Sequence, residues 1–303
     1  MIVVTGGNGQ LGRAIATELE RAVGTRAFRL SVRERLTDDP RQARGIESRV
    51  ADYDNVKALS QSFEGADQLI LISADGTDDL RLPRQLNAVQ AAKDAGVKHI
   101  VFTSSRSVGK GNGLAHAAVN SQTEDAIKAT GGDYTIMRNS LYAELLLMFA
   151  QPAIETGVIS LPAANGKAAM ISRTDIARFA ARVVLPGFGR NQVYELTGPK
   201  AFGYYDLAAI LAETTGKRIV YVPADKKTAV DWLKGRLAVP DFYLPFIVDA
   251  AYEFGQGWQE AVLTDFEQVV GSPATPADQV WRHTLTGGGP LTQASSTTSI
   301  SPS

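Results

Sequence analysis

The chain contains no cysteine, which excludes disulfides, thiolate metal ligands and cysteine nucleophiles outright. Its only histidines are His99, His116 and His283, too scattered to suggest a histidine-built metal site. No sign of charge predominates. The formal net charge is −1, from 31 basic and 32 acidic residues without blocks of either, which argues against nucleic acid or an anionic membrane as the main partner. No apolar run approaches the roughly 20 residues a membrane span needs, and the first residues lack the charged and apolar regions of a signal peptide. A soluble, cytoplasmic protein is therefore expected. At 303 residues and 44% hydrophobic composition, the chain can bury a sizeable core, as one large domain or a domain with a smaller lobe.

What the sequence does contain begins at its first residues. Met1-Ile2-Val3-Val4 reads as a buried strand, Thr5-Gly6-Gly7-Asn8-Gly9-Gln10-Leu11-Gly12 carries the spacing G-x-x-G-x-x-G, and Arg13 to Glu20 reads as a helix. A strand that turns through glycines into a helix makes a phosphate cradle. Missing side chains let the backbone approach a pyrophosphate, while the free N–H groups and positive end of the helix favour its charge. Alone the glycines are weak evidence; between a strand and a helix they meet the context of a dinucleotide fingerprint.

Strand and helix patterns then alternate. Arg26 to Val32 forms a second strand ending at Arg33, where such a fold faces the adenosine ribose. An acidic residue there bonds the 2′-hydroxyl of NAD, whereas an arginine accommodates the 2′-phosphate of NADP. Arg33, followed by Arg35, points to NADP, although a solvated basic turn with Glu34 between the arginines fits the same residues. Ser48 to Tyr53 reads as a short third strand. Its Asp52 suits either an adenine contact or the N-cap of the helix from Asp54 to Phe63.

Gln68 to Ser73 is an apolar run of the kind a central parallel strand requires. A helix from Leu80 to Ala95 and a fifth strand from Val97 to Ser105 follow. Ser73, Thr103 and Ser104 fall where ligands bind in open α/β sheets, and ordinary capping of the strand ends accounts for them equally. Further elements are a helix at Asn120 to Thr130, strands at 134–138, 157–161, 192–197 and 219–223, and helices at 174–184 and 205–215. Residues 224–270 are helical, and their aromatics Trp232, Phe242, Tyr243, Phe246, Tyr252, Phe254 and Trp258 are read as core. The residues from Gly287 on, rich in Gly, Pro, Ser and Thr, read as a disordered tail.

Several dispersed segments carry a resemblance. These are Ile2 to Gly12, Val32-Arg33, Ala51-Asp52-Tyr53, Ala92 to Ile100, Thr123-Glu124, Tyr134 to Asn139 with Tyr142, and Arg173 to Ala177. Together they resemble the NmrA-like branch of the atypical short-chain dehydrogenase/reductases, and within it the bacterial NADPH-dependent quinone oxidoreductases and triphenylmethane dye reductases. The likeness spans Met1 to roughly Val270. It implies that Gly6, Gly9, Gln10, Leu11 and Gly12 cradle the pyrophosphate and that Arg33 takes the 2′-phosphate. It further implies that Ser73 and Thr103 flank the ribose and nicotinamide, and that Asn139 and Tyr142 lie near the substrate.

Two departures stand out. Gly7-Asn8 replaces the alanine-threonine of the relatives, keeping the turn but altering what lies under the phosphates. Asn120 occupies the place, four residues before Glu124, where relatives carry histidine, with His116 one turn further out and a small insertion nearby.

Ordinary short-chain dehydrogenases use a Tyr-x-x-x-Lys pair for proton transfer. Here that spacing occurs once, at Tyr53 and Lys57, after the third strand and on the adenine side. The active pair belongs after the fifth strand, where the helix from Asn120 carries no tyrosine. Reduction of a quinone or dye does not need such a pair, because the acceptor takes hydride readily and water can protonate the product. His116 is a candidate acid, with simple solvation as its alternative.

The expectation is therefore a doubly wound parallel α/β domain over residues 1–150, with later strands returning to its sheet, a smaller C-terminal α/β lobe over 151–286 that closes the substrate cleft, and a tail over 287–303. Its function is NADPH-dependent hydride transfer to a quinone-like or conjugated small molecule, with Asn139 and Tyr142 positioning the acceptor. Two alternatives remain: an NADP-sensing regulator without turnover, and a reductase of a natural-product intermediate, which would need a lysine such as Lys110 near the nicotinamide. A homo-oligomer stays open.

Overall fold

Short β-branched runs separated by amphipathic helices give the alternation that builds a parallel sheet with helices on both faces. The computed structural model describes residues 1–109 and 115–287, with the side chains of Ala115 and His116 excepted. In chain order, β1 (Ile2–Val4), α1 (Gln10–Val23), β2 (Phe28–Val32), α2 (Pro40–Ala43), β3 (Glu47–Val50), α3 (Val56–Phe63) and β4 (Gln68–Leu71) form the first half. Then come α4 (Asp78–Asp94), β5 (His99–Ser105), α5 (Ala115–Lys128) and β6 (Asp133–Asn139). A 3-10 segment (Ala143–Phe149), α6 (Ala150–Thr156), β7 (Val158–Leu161), α7 (Arg173–Val183) and β8 (Gln192–Leu196) follow. The chain continues through α8 (Tyr204–Thr215), β9 (Val220–Pro223), α9 (Lys226–Leu233), α10 (Leu244–Phe254), α11 (Asp265–Val270) and α12 (Ala277–Thr286).

Two compact units emerge. The first comprises Met1–Tyr142, Ile171–Pro199 and Val262–Thr275. Its seven strands run in the order β3-β2-β1-β4-β5-β6-β8, every neighbouring pair parallel. Strand order reverses between β1 and β4, the switch point at which doubly wound sheets bind ligands. Alternation along the strands separates two cores. Val4, Ile70, Val101 and Met137 pack with Leu11, Ile15 and Leu19 of α1 and with Ile176, Phe179 and Ala180 of α7. Leu69, Leu71, Ile100, Phe102 and Ile136 pack with Phe63, Ala88, Ala92 and Ile127 on the opposite face. Each large apolar side chain buried in this way contributes roughly 1.5–3 kcal/mol.

The second unit is built from Ala143–Met170, Lys200–Ala261 and the chain from Pro276 on. It holds a parallel pair, β7 with β9, and a core in which Trp281 is fully buried, stacks edge-on against Phe202 and donates through Nε1 to the carbonyl of Ala143 at 2.7 Å. The sequence suggests a boundary near residue 150 with later strands returning to the first sheet; along the chain, the two units interleave. The chain returns twice to the first unit: once as α7, which packs beside α1, and β8, which extends the sheet, and once as α11, whose Phe266 joins the same core.

Aromatic residues of the second unit divide differently from expectation. Phe254 is buried, but Phe242 and Phe246 are 67% and 60% exposed and Tyr252 is exposed as well. Helix periodicity explains this: Leu244, Val248, Ala251 and Phe254 share the buried face of α10, and Phe246 and Tyr252 fall on the other. The residues read as a disordered tail lie, from 288 on, outside the described residues, as does Lys110. Among the described residues, no helix is long and apolar enough to cross a membrane, and no group of His, Asp and Glu could hold a metal ion.

Candidate functional site

The carboxyl end of β1 passes directly into the glycine turn. Gly6 adopts φ +61°, a left-handed conformation that favours glycine, and its carbonyl accepts the N–H of Gly9 at 2.9 Å. Helix α1 starts at Gln10, so Gly12 lies inside its first turn. A Cβ at Gly12 would meet the Gly6 oxygen at 2.2 Å, and one at Gly7 would meet Leu30 Cβ at 2.8 Å. The absent side chains are thus what lets helix, turn and sheet pack this closely. Gly9 caps the helix without a side chain to occupy its first N–H groups, and no acidic residue stands in the first turn. Gln10 and Gly9 are exposed there while Leu11 turns into the core. An electropositive helix end with exposed backbone suits an anionic group.

Arg33 and Arg35 are exposed just after β2. Asn8 links this region to the turn: its Nδ2 donates to the carbonyl of Glu34 at 2.8 Å. Asp52, half-buried after β3, accepts the N–H of Asp54 at 2.9 Å in a local turn. The capping role open to Asp52 belongs instead to Asn55, whose side chain accepts the N–H of Ala58 and which immediately precedes α3. Asp52 is one turn too early for it.

At the ends of β4 and β5, Thr103 Oγ1 is buried and accepts the N–H of Ser73 at 3.0 Å, fastening the two strand ends together. Ser104, one residue on and facing the other side of the sheet, donates to Glu124 Oε1 at 2.6 Å. Glu124 also accepts from Arg138 Nε and Nη2 at 3.0 and 2.7 Å. Its negative charge holds the Arg138 guanidinium above the ordinary arginine range. The preceding Thr123 accepts from Gln85 Nε2 at 2.7 Å, and Gln85 Oε1 accepts the N–H of Ala74, so α5, α4 and the loop after β4 are tied together. Both hydroxyls at the end of β5 therefore have structural partners.

Asn139, at the end of β6, is 4% exposed, and neither its Oδ1 nor its Nδ2 has a hydrogen-bond partner. A buried carboxamide left unpaired costs on the order of 1–3 kcal/mol per group, so Asn139 lowers the stability of the fold as it stands. Tyr142 lies three residues on; Arg173, the first residue of α7, sits over its ring at 5.1 Å, and the backbone of Tyr142 bridges that of Ile171. Asn120 is buried with its Oδ1 unpaired. The side chain of His116 lies outside the described residues.

Tyr53, the tyrosine of the Tyr-x-x-x-Lys spacing, follows β3. Tyr53 donates to the carbonyl of Ile72 at 2.6 Å and lies 2.7 Å from Thr5 Oγ1. Burial pushes its phenol far above the ordinary tyrosine range.

A glycine turn closed by backbone contacts, at the switch point of a parallel sheet, is the geometry of a dinucleotide site. Residues 6–185 match the family model described as NAD(P)H-binding. This chain belongs to that NAD(P)H-binding, NmrA-like family. It is 32% identical to quinone oxidoreductase 2 of Escherichia coli (strain K12), over 91% of this chain and 95% of that protein. The structure of the NADPH-dependent quinone oxidoreductase of Escherichia coli complexed with NADPH superposes with TM-score 0.86 at 32% identity, covering 93% of this chain and 99% of that one. The Citrobacter sp. triphenylmethane reductase complexed with NADP(H) superposes with TM-score 0.87 at 28% identity, covering 93% and 99%. The doubly wound fold and the family read from the sequence both stand.

In this family member, sequence reading missed Arg41 of α2. Its side chain is buried beneath the glycine turn. The available signal was Asp39-Pro40, an N-cap followed by a proline at the first helical position.

Proposed function

We propose that this NAD(P)H-binding chain is an NADPH-dependent reductase that delivers hydride to a quinone-like or conjugated small molecule. The observation that carries the reading is the near full-length likeness to solved quinone and dye reductases, joined to a glycine turn whose backbone leaves no room for a side chain at Gly12. The bound cofactor would supply the hydride. In the reading, Gly6, Gly9, Gln10, Leu11 and Gly12 receive the pyrophosphate on backbone N–H groups, Arg33 meets the 2′-phosphate, and Asp52 borders the adenine.

Thr103 and Ser73 act as a pair, the hydroxyl of one fixing the backbone of the other beside the ribose and nicotinamide. Asn139 offers a donor and an acceptor to a bound polar group, which is what its two unpaired atoms support. Tyr142, its ring already held under Arg173, gives a flat apolar surface for a conjugated acceptor. These residues orient the acceptor, and a reduced quinone takes its proton from solvent.

The test is consumption of NADPH by the purified protein against a panel of quinones and triphenylmethane dyes. Consumption that needs both protein and acceptor supports the reductase; binding of NADPH without consumption by any acceptor would redirect the reading to a nucleotide sensor.

A further inference from the structure

The glycine turn is braced from beneath by an arginine to which the proposed reaction assigns no role. Arg41 is 8% exposed, and its guanidinium reaches three partners at once. Nε and Nη2 fork the Asp39 carboxylate at 2.8 and 2.7 Å, Nη1 donates to the Gly7 carbonyl at 2.6 Å, and Nη2 donates to Asn8 Oδ1 at 2.7 Å. Asn8 passes the connection on through Nδ2 to the carbonyl of Glu34, the neighbour of Arg33. From α1, Arg13 Nε holds the Asn8 carbonyl at 2.9 Å.

This arrangement has two physical consequences. A planar guanidinium with donors in fixed directions specifies geometry that a flexible ammonium does not. Because C=O and N–H of a trans peptide point in opposite directions, a Gly7 carbonyl drawn to Arg41 turns the Asn8 N–H away from it. Asp39, meanwhile, cancels the charge of Arg41, and the Arg41 side chain in turn holds the Asp39 carboxyl below the usual carboxylate range. The pair is a neutral strut under the turn, unlike the exposed Arg33.

We propose that Arg41 is a positioning residue that presets the glycine turn for the pyrophosphate common to NADPH and NADH. The inference rests on the NAD(P)H reading above. It divides the work between two arginines: Arg41 raises affinity for both cofactors equally, and Arg33 separates one from the other.

The experiment measures dissociation constants for NADPH and for NADH by nicotinamide fluorescence, without acceptor. It uses the full-length chain and its Arg41→Ala, Asn8→Ala and Arg33→Ala variants, each below its own unfolding temperature. Arg41→Ala is expected to weaken both cofactors by the same factor, about tenfold, leaving the NADPH-to-NADH ratio at the wild-type value. Asn8→Ala, which keeps the Asp39–Arg41 pair, is expected to weaken both by a smaller common factor, whereas Arg33→Ala lowers the ratio. Unchanged constants in folded Arg41→Ala would overturn the inference, and so would a loss confined to NADPH, which would make Arg41 a direct phosphate ligand. Should Arg41→Ala not fold, Asn8→Ala decides by the same two criteria. Wild-type protein that binds neither cofactor would overturn the NAD(P)H reading itself, before any variant is compared.

Discussion

Ser104 donates to Glu124 at 2.6 Å, and through that carboxylate the end of β5 is bound to Arg138 of β6. Glu124 is almost wholly buried, while Arg138 keeps a modest exposed fraction. Removing one member of such a pair leaves the other charge uncompensated. Glu124→Gln is expected to lower the unfolding free energy by about 3 kcal/mol, measured by urea unfolding. An unchanged midpoint would show that the network contributes nothing.

Gly12 faces the tightest of the close approaches in the turn, 2.2 Å from an added Cβ to the Gly6 oxygen. Backbone cannot swing aside as a flexible side chain can. Gly12→Ala is expected to lift α1 from the turn, lowering stability by about 3 kcal/mol and removing measurable NADPH binding. At Gly9 the corresponding approach to the same oxygen is 3.2 Å, a tight contact but not an overlap, and Gly9→Ala is expected to stay folded with a smaller loss of stability than Gly12→Ala. Calorimetric melting and titration with NADPH separate the two cases.

His99 gives a dependence on pH. It is buried between Gln68 and Thr135, with Gln68 Oε1 at 2.9 Å from Nδ1 and Thr135 Oγ1 at 2.9 Å from Nε2. Burial, aided by the nearby charge of Arg190 and opposed by Asp133, pushes its pKa down to about 4. Between that value and the unfolded pKa of about 6.5, the unfolded chain binds the extra proton. Stability contributed by neutral His99 is therefore complete above about pH 6.5 and is lost as pH falls toward 4, by up to about 3 kcal/mol in all. Unfolding free energies at a series of pH values check the slope, and His99→Gln is expected to flatten it.

Tyr53 joins three elements through one hydroxyl. Tyr53→Phe leaves the Ile72 carbonyl and Thr5 without that partner and is expected to cost about 1–2 kcal/mol. If the hydroxyl has no part in proton transfer, turnover and its pH profile remain those of the wild type. A profile that loses one limb in Tyr53→Phe would contradict this reading.

How much of this was legible in the sequence depends on whether a residue's partners are periodic or remote. Gln68–Leu71 and His99–Ser105 are readable because a strand buried on both faces must be continuously apolar along its inner part, and the glycine triplet is readable because its spacing is itself the geometry. Arg41 is hidden in a charged stretch from Arg33 to Arg44: Asp39-Pro40 marks a helix start there, but nothing in the spacing distinguishes a buried guanidinium from solvated ones. Thr103 and Ser104 were correctly placed at a strand end. Their partners, Ser73 N–H and Glu124, depend on which neighbouring strand and helix come alongside. The exposed Phe246 and Tyr252 show the converse: aromatic composition suggests burial, and only the phase of α10 decides which of its rings obtain it.

The central claim is tested most directly by the absorbance of the reduced nicotinamide as the purified protein meets NADPH together with a quinone. The account predicts a fall that requires protein and acceptor together and that weakens in Arg33→Ala when NADPH, but not NADH, is the donor. NADPH that binds to the protein and stays reduced across a panel of quinones and dyes would contradict it.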